Sequence, residues 1–408
     1  MRKVVVKFGG TSVGDGQRIR LAANSVYEES KRGSQIVVVV SAMGHTTDEI
    51  IEVARVSTGG KLSAEELDDI MAMGERTSAR IFSSALRSLG ANSIYVDPSC
   101  EEWPIITNSN FGQADIDLAE TEIRVKKYIL PLLAKGVIPV VCGFLGVEKQ
   151  GRITTIGRGG SDITAFVLGK CIKADEVIIV TDVEGVMSAD PRKVEDAKLL
   201  REISVEELRD LARYGAQVMH PRAMNYKDPK IDAKVIHFRH GNLLAGGTTI
   251  TGPKGEGMSV ELYEKPLAML TVVGEQMQLT PGVLAKAVGP LAEAKINIFG
   301  VAVGPRSFSI YVADRDARRG LKLLHEVVAN NKIMKSVTVE NNIAMITAES
   351  EKFIETPGMV AKLTEPLARE KINIIEILSS RATITFFVNW NDREHVVKLL
   401  KKVMEEVR

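Results

Sequence analysis

Short apolar runs alternate with longer stretches of helical pattern from residue 3 to about residue 250. Five of these runs are rich in β-branched residues and too short for helices, so they predict buried strands. They are VVVKF (4–8), QIVVVVS (35–41), SIYV (93–96), VIPVVCGF (137–144) and EVIIVTDV (176–183). Apolar strands separated by helices predict an α/β fold in which a parallel sheet is covered on both faces, with three layers, α/β/α.

The pattern changes after Gly252, where the chain repeats itself at an interval of 76 residues. TPGVLAK (280–286) is matched by TPGMVAK (356–362), and PLAEAKINI (290–298) is matched by PLAREKINI (366–374). Each copy reads strand, Pro-Gly turn, helix, strand, turn, strand, helix, which is typical of a ferredoxin-like βαββαβ module. We therefore expect two such modules after the first domain.

The domain boundaries depend on a strand that the second copy lacks. In the first copy, IMKSVTVE (333–340) supplies a fourth strand, whereas the second copy ends in its last helix. The run MSVELYE (258–264) precedes the first copy and is the natural strand to fill the open sheet edge. The sequence thus predicts a first domain over 1–252, a first module over 265–340, and a second module made of 258–264 and 341–408.

Several polar residues stand where the predicted strands end. Lys7, Ser41 and the pair Thr181 and Asp182 do so, as does the chain from Gly143 onward. Parallel strands bring their carboxyl ends to one edge of the sheet, where open α/β folds bind their ligands. We expect the functional site at that edge.

The first strand runs from Lys7 into two glycines, Gly9 and Gly10. Gly9 and Gly14 have the spacing of a Walker A loop, but Asp15 follows in place of Lys-Ser/Thr, and no G-x-G-x-x-G is present. The turn is therefore either a different kind of nucleotide site or a glycine-rich corner of the chain.

The motif GRGGSD places Arg158, Gly159, Gly160, Ser161 and Asp162 before a predicted helix. Ser161 or Asp162 is expected to cap that helix, whose N-terminus forms an anion site together with the arginine and the glycine amides. Capping alone would explain the serine and the aspartate, although it would not explain the arginine and the glycines.

Two further motifs fit a structural role as well as a functional one. In VTDVEGVMSADPR, Asp182 ends a buried strand and Arg192 follows a proline, which also fits an Asp-Pro turn with a solvated arginine. In GERTSAR, Glu75 stands at the start of a predicted helix, where the helix dipole favours a carboxylate whatever its function. His237 and His240 have metal-like spacing, but without a third ligand we interpret them as ordinary surface or strand histidines.

Composition narrows the classes of function. The 408 residues are too many for one compact core, so we expect two or three domains. Lys and Arg number 53 against 52 Asp and Glu, so we expect neither a nucleic acid nor a membrane as a partner. Three cysteines without metal-ligand spacing, and no apolar run near the roughly 18 residues of a membrane span, predict a cytoplasmic protein with reduced thiols.

Taken in order, the motifs resemble those of one family. They are KFGGTSVG, SAMGHTTD, GERTSA, GFLGV, TTIGRGGSD, TDVEGVMSADPR and GAQVMHPRA, followed by the tandem module. The chain resembles the aspartate kinases of the amino acid kinase family along its full length. The resemblance implies an amino-acid-kinase-type three-layer α/β/α sandwich followed by two ferredoxin-like ACT domains.

The resemblance also implies an activity. Aspartate kinases use ATP to phosphorylate the side-chain carboxylate of L-aspartate, which gives 4-phospho-L-aspartate. This is the first step of the pathway to lysine, threonine and methionine. ACT domains commonly bind an end-product amino acid, so feedback regulation through them is expected.

Residue roles follow from the same resemblance. Lys7 and Asp162 match catalytic positions: Lys7 neutralises charge on the transferred group, and Asp162 orients Lys7 or the acceptor region. For L-aspartate, Arg158 and Ser161 are expected to hold the α-carboxylate and Glu75 the ammonium group. The other substrate positions are Thr47, Gly159 and Gly160. The ATP positions are Lys7, Phe8, Gly9, Gly10, Ser41, Thr181, Asp182, Met187, Arg192 and Gln217. Mg²⁺ is expected on the β- and γ-phosphates, with no metal site formed by the protein alone.

One position departs from the family pattern. Gln217 in GAQVMHP stands where the family usually has a lysine, so one charge is missing from the nucleotide site. An amino-acid-sensing regulatory protein with a weakened kinase domain is the alternative, against which the intact Lys7, Glu75 and Arg158 argue. A fused homoserine dehydrogenase is not expected, because no dinucleotide fingerprint appears.

The tandem modules predict partners beyond the substrates. VAVGPRSF and ILSSRATI differ from the loops of lysine- or threonine-sensitive members, so the sequence does not identify the effector amino acid. The modules are short and polar on one face. We therefore expect them to interlock within the chain and to pair with another subunit, giving a homodimer or a dimer of dimers.

Overall fold

The fold was analysed in a computed structural model, which describes residues 1–214, 219–252, 258–350 and 352–407. The chain forms two compact units, Met1–Gly255 and Glu256–Arg408. In the part of the chain that the structure describes, no helix is both long enough and apolar enough to cross a membrane. The three cysteines are free thiols.

The first unit is built around an eight-stranded sheet of order β3-β4-β2-β1-β7-β9-β10-β8, with β5 and β6 as a separate hairpin. The strands are β1 (Lys3–Phe8), β2 (Gln35–Val40), β3 (Ser93–Val96), β4 (Ile138–Cys142), β5 (Leu145–Val147), β6 (Ile153–Thr155), β7 (Glu176–Thr181), β8 (Glu202–Ser204), β9 (Asp232–His237) and β10 (Thr248–Thr251). The helices are α1 (Gly16–Lys31), α2 (Thr46–Ser57), α3 (Ala64–Ser88), α4 (Leu118–Arg124), α5 (Leu130–Ala134), α6 (Gly160–Ile172), α7 (Val205–Arg213) and α8 (Pro221–Met224). All neighbouring strands of the sheet are parallel except β9 and β10.

Side chains of β1 alternate between two helical layers, as the period of a strand requires. Phe8 packs against Phe82 of α3 with ring centroids 5.1 Å apart. Lys7 points to the opposite face, where it pairs with Asp162 of α6. Val5 in the centre of the strand is fully buried. The predicted three-layer α/β/α sandwich is therefore confirmed.

The carboxyl ends of the central strands lie side by side. The amide of Ser41, after β2, donates to the carbonyl of Phe8 at the end of β1 (3.1 Å). The amide of Gly143, after β4, donates to the carbonyl of Val40 at the end of β2 (2.9 Å). These bonds tie the turns after β1, β2 and β4 together, and the predicted site residues Lys7, Phe8 and Ser41 stand at this edge.

The second unit contains both copies of the repeat in one seven-stranded sheet. The strands are β11 (Met258–Leu262), β12 (Leu267–Gly274), β13 (Ile298–Val303), β14 (Ser307–Ala313), β15 (Met334–Ser350), β16 (Ile374–Ser379) and β17 (Thr383–Asn389). The helices are α9 (Val283–Glu293), α10 (Ala317–Ala329), α11 (Lys352–Glu355), α12 (Met359–Arg369) and α13 (Arg393–Val407). The strand order is β15-β12-β14-β13 around the first copy and β11-β15-β17-β16 around the second. Both are ferredoxin-like orders, as the repeat predicts.

Strand β15 serves both copies, because it runs for 17 residues without a break. Its first part pairs with β12, and its second part pairs with β17 and β11. The passage between the two parts is marked by Asn342, which has a φ of 60°, a left-handed conformation that asparagine tolerates. β11 thus occupies the position where the second copy lacks a strand of its own.

Candidate active site

Lys7 and Asp162 form an ion pair at the carboxyl edge of the first sheet. Lys7 Nζ lies 2.7 Å from Asp162 Oδ1, and each side chain keeps 11% of its surface exposed. β1 directs the lysine toward α6, and the first turn of α6 carries the aspartate. The pair places a cation where partial burial strengthens its attraction for an anion relative to bulk water.

Helix α6 begins with glycines and has no side-chain cap. Gly159 is the N-cap residue, with a left-handed φ of 75°, and Ser161 and Asp162 lie in the first turn. The prediction that one of them caps the helix is wrong, because the helix already begins at Gly160. A Cβ atom on Gly159 would lie 2.4 Å from the Cβ of His220, so the position has no room for a side chain. The amide of Gly160 donates to the carbonyl of Gly157 (2.9 Å), so it is not the anion donor that the motif predicts. The helix start presents the following amides and its positive dipole end to the sheet edge.

Ser161 and Arg158 flank this helix start on two sides. A Cβ atom on Gly143 would meet Ser161 Oγ at 2.7 Å, which places the serine against the turn after β4. Arg158 is exposed, and no ion pair joins it to another described residue. Its planar guanidinium is suited to binding both oxygens of a carboxylate.

The glycine turn after β1 packs closely on its neighbours. A Cβ atom on Gly10 would lie 2.9 Å from the carbonyl oxygen of Ala42, so only glycine fits without a shift of backbone. Gly9 lies beside Lys7, since its Cβ would stand 3.7 Å from Lys7 Nζ. The amide of Gly9 donates to the carbonyl of Val180 at 3.0 Å. This amide is therefore used within the fold, and the missing side chain of Gly9 leaves space beside Lys7.

Glu75 lies inside α3, with 5% of its surface exposed. The prediction that it stands at a helix start is wrong, because a capping box of Ser63 and Glu66 starts the helix well upstream. Its Oε1 accepts a hydrogen bond from the amide of Ala42 (3.1 Å), and its Oε2 has no hydrogen-bond partner among the described residues. Burial raises the pKa of Glu75 to about 7. Such a carboxylate is suited to an ammonium group, which would satisfy the remaining oxygen.

Thr47 lies next to Glu75 through close packing of α2 on α3. A Cβ atom on Gly74 would meet Thr47 Oγ1 at 2.8 Å and the Cβ of Ala42 at 2.7 Å. Glycine at this position lets the two helices and the turn after β2 approach each other. The predicted substrate positions Thr47 and Glu75 are thus neighbours.

Comparisons with known proteins show the family of the chain. The profile of the amino acid kinase family matches residues 2–237, and two ACT domain profiles match residues 270–328 and 338–402. The chain belongs to the aspartokinases of the amino acid kinase family. The aspartokinase of Bacillus sp. (strain MGA3) is 34% identical over 423 residues, which cover 99% of this chain and 98% of the relative. Aspartokinase 2 of Bacillus subtilis (strain 168) is 32% identical over 419 residues, with the same coverage of 99% and 98%.

Solved structures of aspartokinases resemble this one over 98% of the chain. The aspartate kinase from Synechocystis has a TM-score of 0.82 at 27% identity, and 69% of that chain is covered. E. coli aspartokinase III in complex with aspartate and ADP has a TM-score of 0.55 at 26% identity, with 99% of its chain covered. Its complex with lysine and aspartate gives a TM-score of 0.54 at the same identity and coverage. The family predicted from the order of the motifs is confirmed.

In this aspartokinase, the predicted nucleotide positions near the end of β7 are less closely grouped than the predicted substrate positions. Thr181 Oγ1 donates to Asp182 Oδ1 (3.3 Å), and Asp182 is exposed. Arg192 donates to Asp190 through Nε (3.0 Å) and Nη2 (3.1 Å), with 76% of the Arg192 side chain exposed. This is the Asp-Pro turn with a solvated arginine that the sequence leaves open. Met187 is half-buried beside this segment. A nucleotide contact of Met187 or of Arg192 stays a prediction.

Gln217 lies outside the described residues, but the segment after it contacts the site. His220 packs against Gly159, and Arg222 Nη1 donates to the carbonyl of Ile156 at 3.1 Å. Both residues support the chain around Arg158 from the side of α8. In the sequence, Gln217 precedes His220 by three residues.

His237 and His240 have separate partners. His237 Nδ1 accepts a hydrogen bond from the amide of Arg239 (3.0 Å), and His240 Nε2 lies 2.7 Å from a carboxylate oxygen of Glu184. His237 ends β9 and His240 lies in the 3₁₀ turn that follows. Across the described ranges, no group of three or more His, Cys, Asp or Glu side chains is arranged to hold a metal ion.

Sequence reasoning missed several groups that shape the site. The amide of Ala42 holds Glu75, while His220 and Arg222 support the Arg158 turn. A backbone donor leaves no signature in residue type, so Ala42 could not be found. The HPR run after Gln217 is visible in the sequence, but only its proximity in the fold assigns it a role.

Proposed function

We propose that this aspartokinase transfers the γ-phosphoryl group of ATP to the side-chain carboxylate of L-aspartate, which gives 4-phospho-L-aspartate and ADP. The observation that carries the proposal is the Lys7–Asp162 ion pair of 2.7 Å at the start of α6. Phosphoryl transfer asks a protein for alignment and for positive charge near the transferred group, more than for covalent chemistry. Lys7 and the amides at the start of α6 supply that charge.

Two charged residues support recognition of the amino acid. Glu75 offers a buried carboxylate oxygen without a hydrogen-bond partner among the described residues, which fits the ammonium group. The exposed Arg158 fits the α-carboxylate, with the Ser161 hydroxyl as an additional donor. Both α-substituents are thereby bound, and the side-chain carboxylate is left as the phosphoryl acceptor.

The nucleotide is assigned to the glycine turn and the end of β7. Gly9 leaves room for a phosphate beside Lys7, and the missing side chain of Gly10 lets the turn pack on the carbonyl of Ala42. Mg²⁺ fits this arrangement as an ion bound mainly by the phosphates and water, since it needs only one or two protein carboxylates. When bound, it would neutralise charge on the β- and γ-phosphates. A contact of Gln217 with the nucleotide belongs to the same proposal.

Release of ADP tests the proposed activity. The full chain is mixed with ATP, Mg²⁺ and one of three acceptors: L-aspartate, L-glutamate or N-acetyl-L-glutamate. We expect kcat/KM for L-aspartate to exceed that for L-glutamate by roughly tenfold to 200-fold, because one extra methylene changes the fit by about 1–3 kcal/mol. Equal values for the two amino acids would contradict the aspartate assignment. Absence of ADP with all three acceptors would favour the regulatory alternative.

We also propose that the second unit binds a regulatory amino acid and contributes to a homodimer or larger assembly. The support is the joined sheet of the two ACT modules, whose outer strands are β13 and β16, and the lysine complex of E. coli aspartokinase III. Inhibition of ADP release by lysine, threonine or methionine, each tested alone and in pairs, would identify the effector. Unchanged activity with all of them would contradict regulation by these amino acids.

The proposed domain division is 1–252 for catalysis, 265–340 for the first ACT domain, and 258–264 with 341–408 for the second. Pairing of β11 with β15 supports the split second domain. A cytoplasmic location is part of the proposal, because the three cysteines are free thiols and reduced thiols are typical of the cytoplasm.

A further inference from the structure

Asp68 joins three segments of the first unit. It lies on α3, is 1% exposed, and its carboxylate accepts three hydrogen bonds. Oδ2 accepts from the amides of Gly112 (2.9 Å) and Thr155 (2.8 Å), and Oδ1 accepts from Thr155 Oγ1 (2.7 Å). All three donors come from outside α3. The carboxylate therefore serves contacts between segments and not the stability of its own helix.

These contacts lie between the two residues assigned to the α-substituents of aspartate. Glu75 follows Asp68 on α3 by two helical turns, which places both side chains on one face, about 10 Å apart along the axis. Thr155 is the last residue of β6, and the chain continues directly to Arg158. The Asp68–Thr155 contact thus links the helix that carries Glu75 to the turn that carries Arg158.

We propose that Asp68 is a positioning residue for L-aspartate, which sets the spacing between Glu75 and Arg158. The inference rests on the proposed function, in which these two side chains bind the ammonium group and the α-carboxylate. Both substituents are attached to one carbon atom, so they require a fixed spacing of their partners. A misplacement of about 1 Å is enough to weaken such a site substantially.

Close contacts on Gly157 and a hydrogen bond from Arg222 also hold the turn after β6 in place. Gly157 has a left-handed φ of 82°, and a Cβ atom there would lie 3.2 Å from the carbonyl oxygen of Gly112. Arg222 Nη1 donates to the carbonyl of Ile156 at 3.1 Å, and a Cβ atom on Gly157 would also lie 3.3 Å from that nitrogen. Residues 155–157 are therefore buried and held in place, and the exposed side chain of Arg158 follows directly after them.

Asp68 acts through hydrogen-bond geometry, and its charge is secondary. In an asparagine, Oδ1 can accept both amides, and Nδ2 can donate to Thr155 Oγ1, because a hydroxyl group is both a donor and an acceptor. Alanine offers no acceptor and leaves the buried amide of Thr155 unpaired. Asparagine is therefore the rescuing variant and alanine the disrupting one.

Glu148 provides a matched control at the other end of the same hairpin. It is 4% exposed, and its Oε1 accepts from the amides of Gln150 (3.0 Å) and Arg152 (3.0 Å). These bonds hold the turn between β5 and β6. Glu148 also pairs with Arg152 Nε (3.1 Å), whose Nη1 pairs with the half-exposed Glu65 in the first turn of α3 (2.9 Å), so its link to that helix is indirect. If Asp68 only stabilised the hairpin, removal of either carboxylate would have the same effect on catalysis.

Steady-state kinetics of the full chain test the proposal, with thermal melting to check that each variant is folded. We expect Asp68→Ala to raise KM for L-aspartate at least about tenfold, while KM for ATP changes less than about twofold. Asp68→Asn should stay within about threefold of the parent KM for L-aspartate. Glu148→Ala should leave that KM unchanged. Thr155→Val removes one of the three bonds and should give an intermediate increase, which serves as the test if Asp68→Ala does not fold.

A parent-like KM for L-aspartate in folded Asp68→Ala, or in Thr155→Val if the alanine variant does not fold, would overturn the inference. An equal increase in Glu148→Ala would overturn it as well, because the effect would then belong to the hairpin as a whole. A parent protein that releases no ADP with L-aspartate would instead refute the proposed function.

Discussion

Two charged side chains at the edge of the first sheet, Lys7 and Glu75, are held in different ways. Lys7 is oriented by Asp162 at 2.7 Å, whereas Glu75 is held by a single backbone amide, that of Ala42, at 3.1 Å. The motifs identify both residues, because lysine before glycines and the GER run are local signals. They do not reveal the burial of Glu75, which results from packing of α3 against segments distant in sequence.

Replacement of Lys7 by alanine is expected to lower kcat by about tenfold to a thousandfold, because the cation beside the transferred group is lost. Asp162→Ala should act in the same direction, since Lys7 loses the partner that orients it. Lys3→Ala is the matched control: this lysine lies in the same strand, and its Nζ donates to the carbonyl of Ile172 at the far end of α6 (3.1 Å). ADP release at saturating substrates and a thermal melt are the measurements. Parent-like turnover in both Lys7→Ala and Asp162→Ala would refute the roles proposed for Lys7 and Asp162.

Binding of L-aspartate is expected to weaken as the pH falls below about 7. Burial raises the pKa of Glu75 from its ordinary value of 4.5 to about 7, so acidification removes the negative charge proposed to bind the ammonium group. KM for L-aspartate, measured between about pH 5.5 and pH 8.5, should rise toward acid pH in the parent and be flatter in Glu75→Gln. The same pH profile in both proteins would contradict the assignment.

Acidification should stabilise the fold through Glu75, although it should weaken the binding of L-aspartate. Because the pKa of Glu75 in the folded state lies above 4.5, its contribution to the free energy of unfolding is fully present below pH 4.5 and is lost as the pH rises through about 7. Glu75→Gln should therefore be more stable than the parent near pH 8. The carboxylate that favours the substrate is thus unfavourable for the empty fold.

At the scale of elements, strands were easier to predict than helix starts. Each of the five apolar runs became a strand of the first sheet, since a run that is apolar on both faces has few alternatives. The start of α3 was misplaced at the GER motif. The Ser63–Glu66 capping box that starts this helix is a readable sequence signal, but the charged first turns after it hide the apolar period.

The pairing of β15 with strands on both of its sides could be predicted only in part. The repeat and the strand missing from the second copy are visible in the sequence. That one strand runs through both copies is not visible, because the register depends on partners far away along the chain. Asn342 at the passage gives no signal, since asparagine is also common in turns.

Tyr311 of β14 and Phe387 of β17 offer a test of packing inside the second unit. They occupy equivalent positions of the repeat, and their rings stack with centroids 3.7 Å apart. The Tyr311 hydroxyl is buried, and no described residue gives it a hydrogen bond. Tyr311→Phe is expected to raise the free energy of unfolding by about 1 kcal/mol, because an unsatisfied polar group is removed. Phe387→Tyr should lower it, and calorimetry of both variants is the measurement. A lower Tm for Tyr311→Phe would contradict this account.

At the scale of the whole molecule, the order of local motifs was enough to predict the family and both kinds of domain. The effector and the assembly were not predictable, because they depend on surfaces formed by residues from several elements. Gln217 shows the same limit for a predicted site residue, since one substitution in a motif does not reveal how the surrounding charges compensate.

The full-length protein is expected to be a homodimer or larger at micromolar concentration, as measured by light scattering. Truncation at about residue 340 removes the second part of β15 together with β16 and β17, and it leaves β11 without its partner. The truncated chain should lose assembly or its response to amino acids, while nucleotide binding persists. A monomeric full-length protein, with and without amino acids, would contradict the expectation.

The shared strand also affects when each repeat can fold during synthesis. The first copy has all its strands once the ribosome has passed the first part of β15. β11 is made earlier, but its partners among the described residues are 346–350. Contacts that far apart in sequence form late, so the nascent chain carries β11 as an unpaired edge for most of the unit's synthesis. The exposed Glu261 in this strand hinders pairing with a wrong neighbour. The second repeat is thus assembled from two separated segments and cannot be deleted as one continuous piece of chain, whereas the first repeat is a single continuous segment.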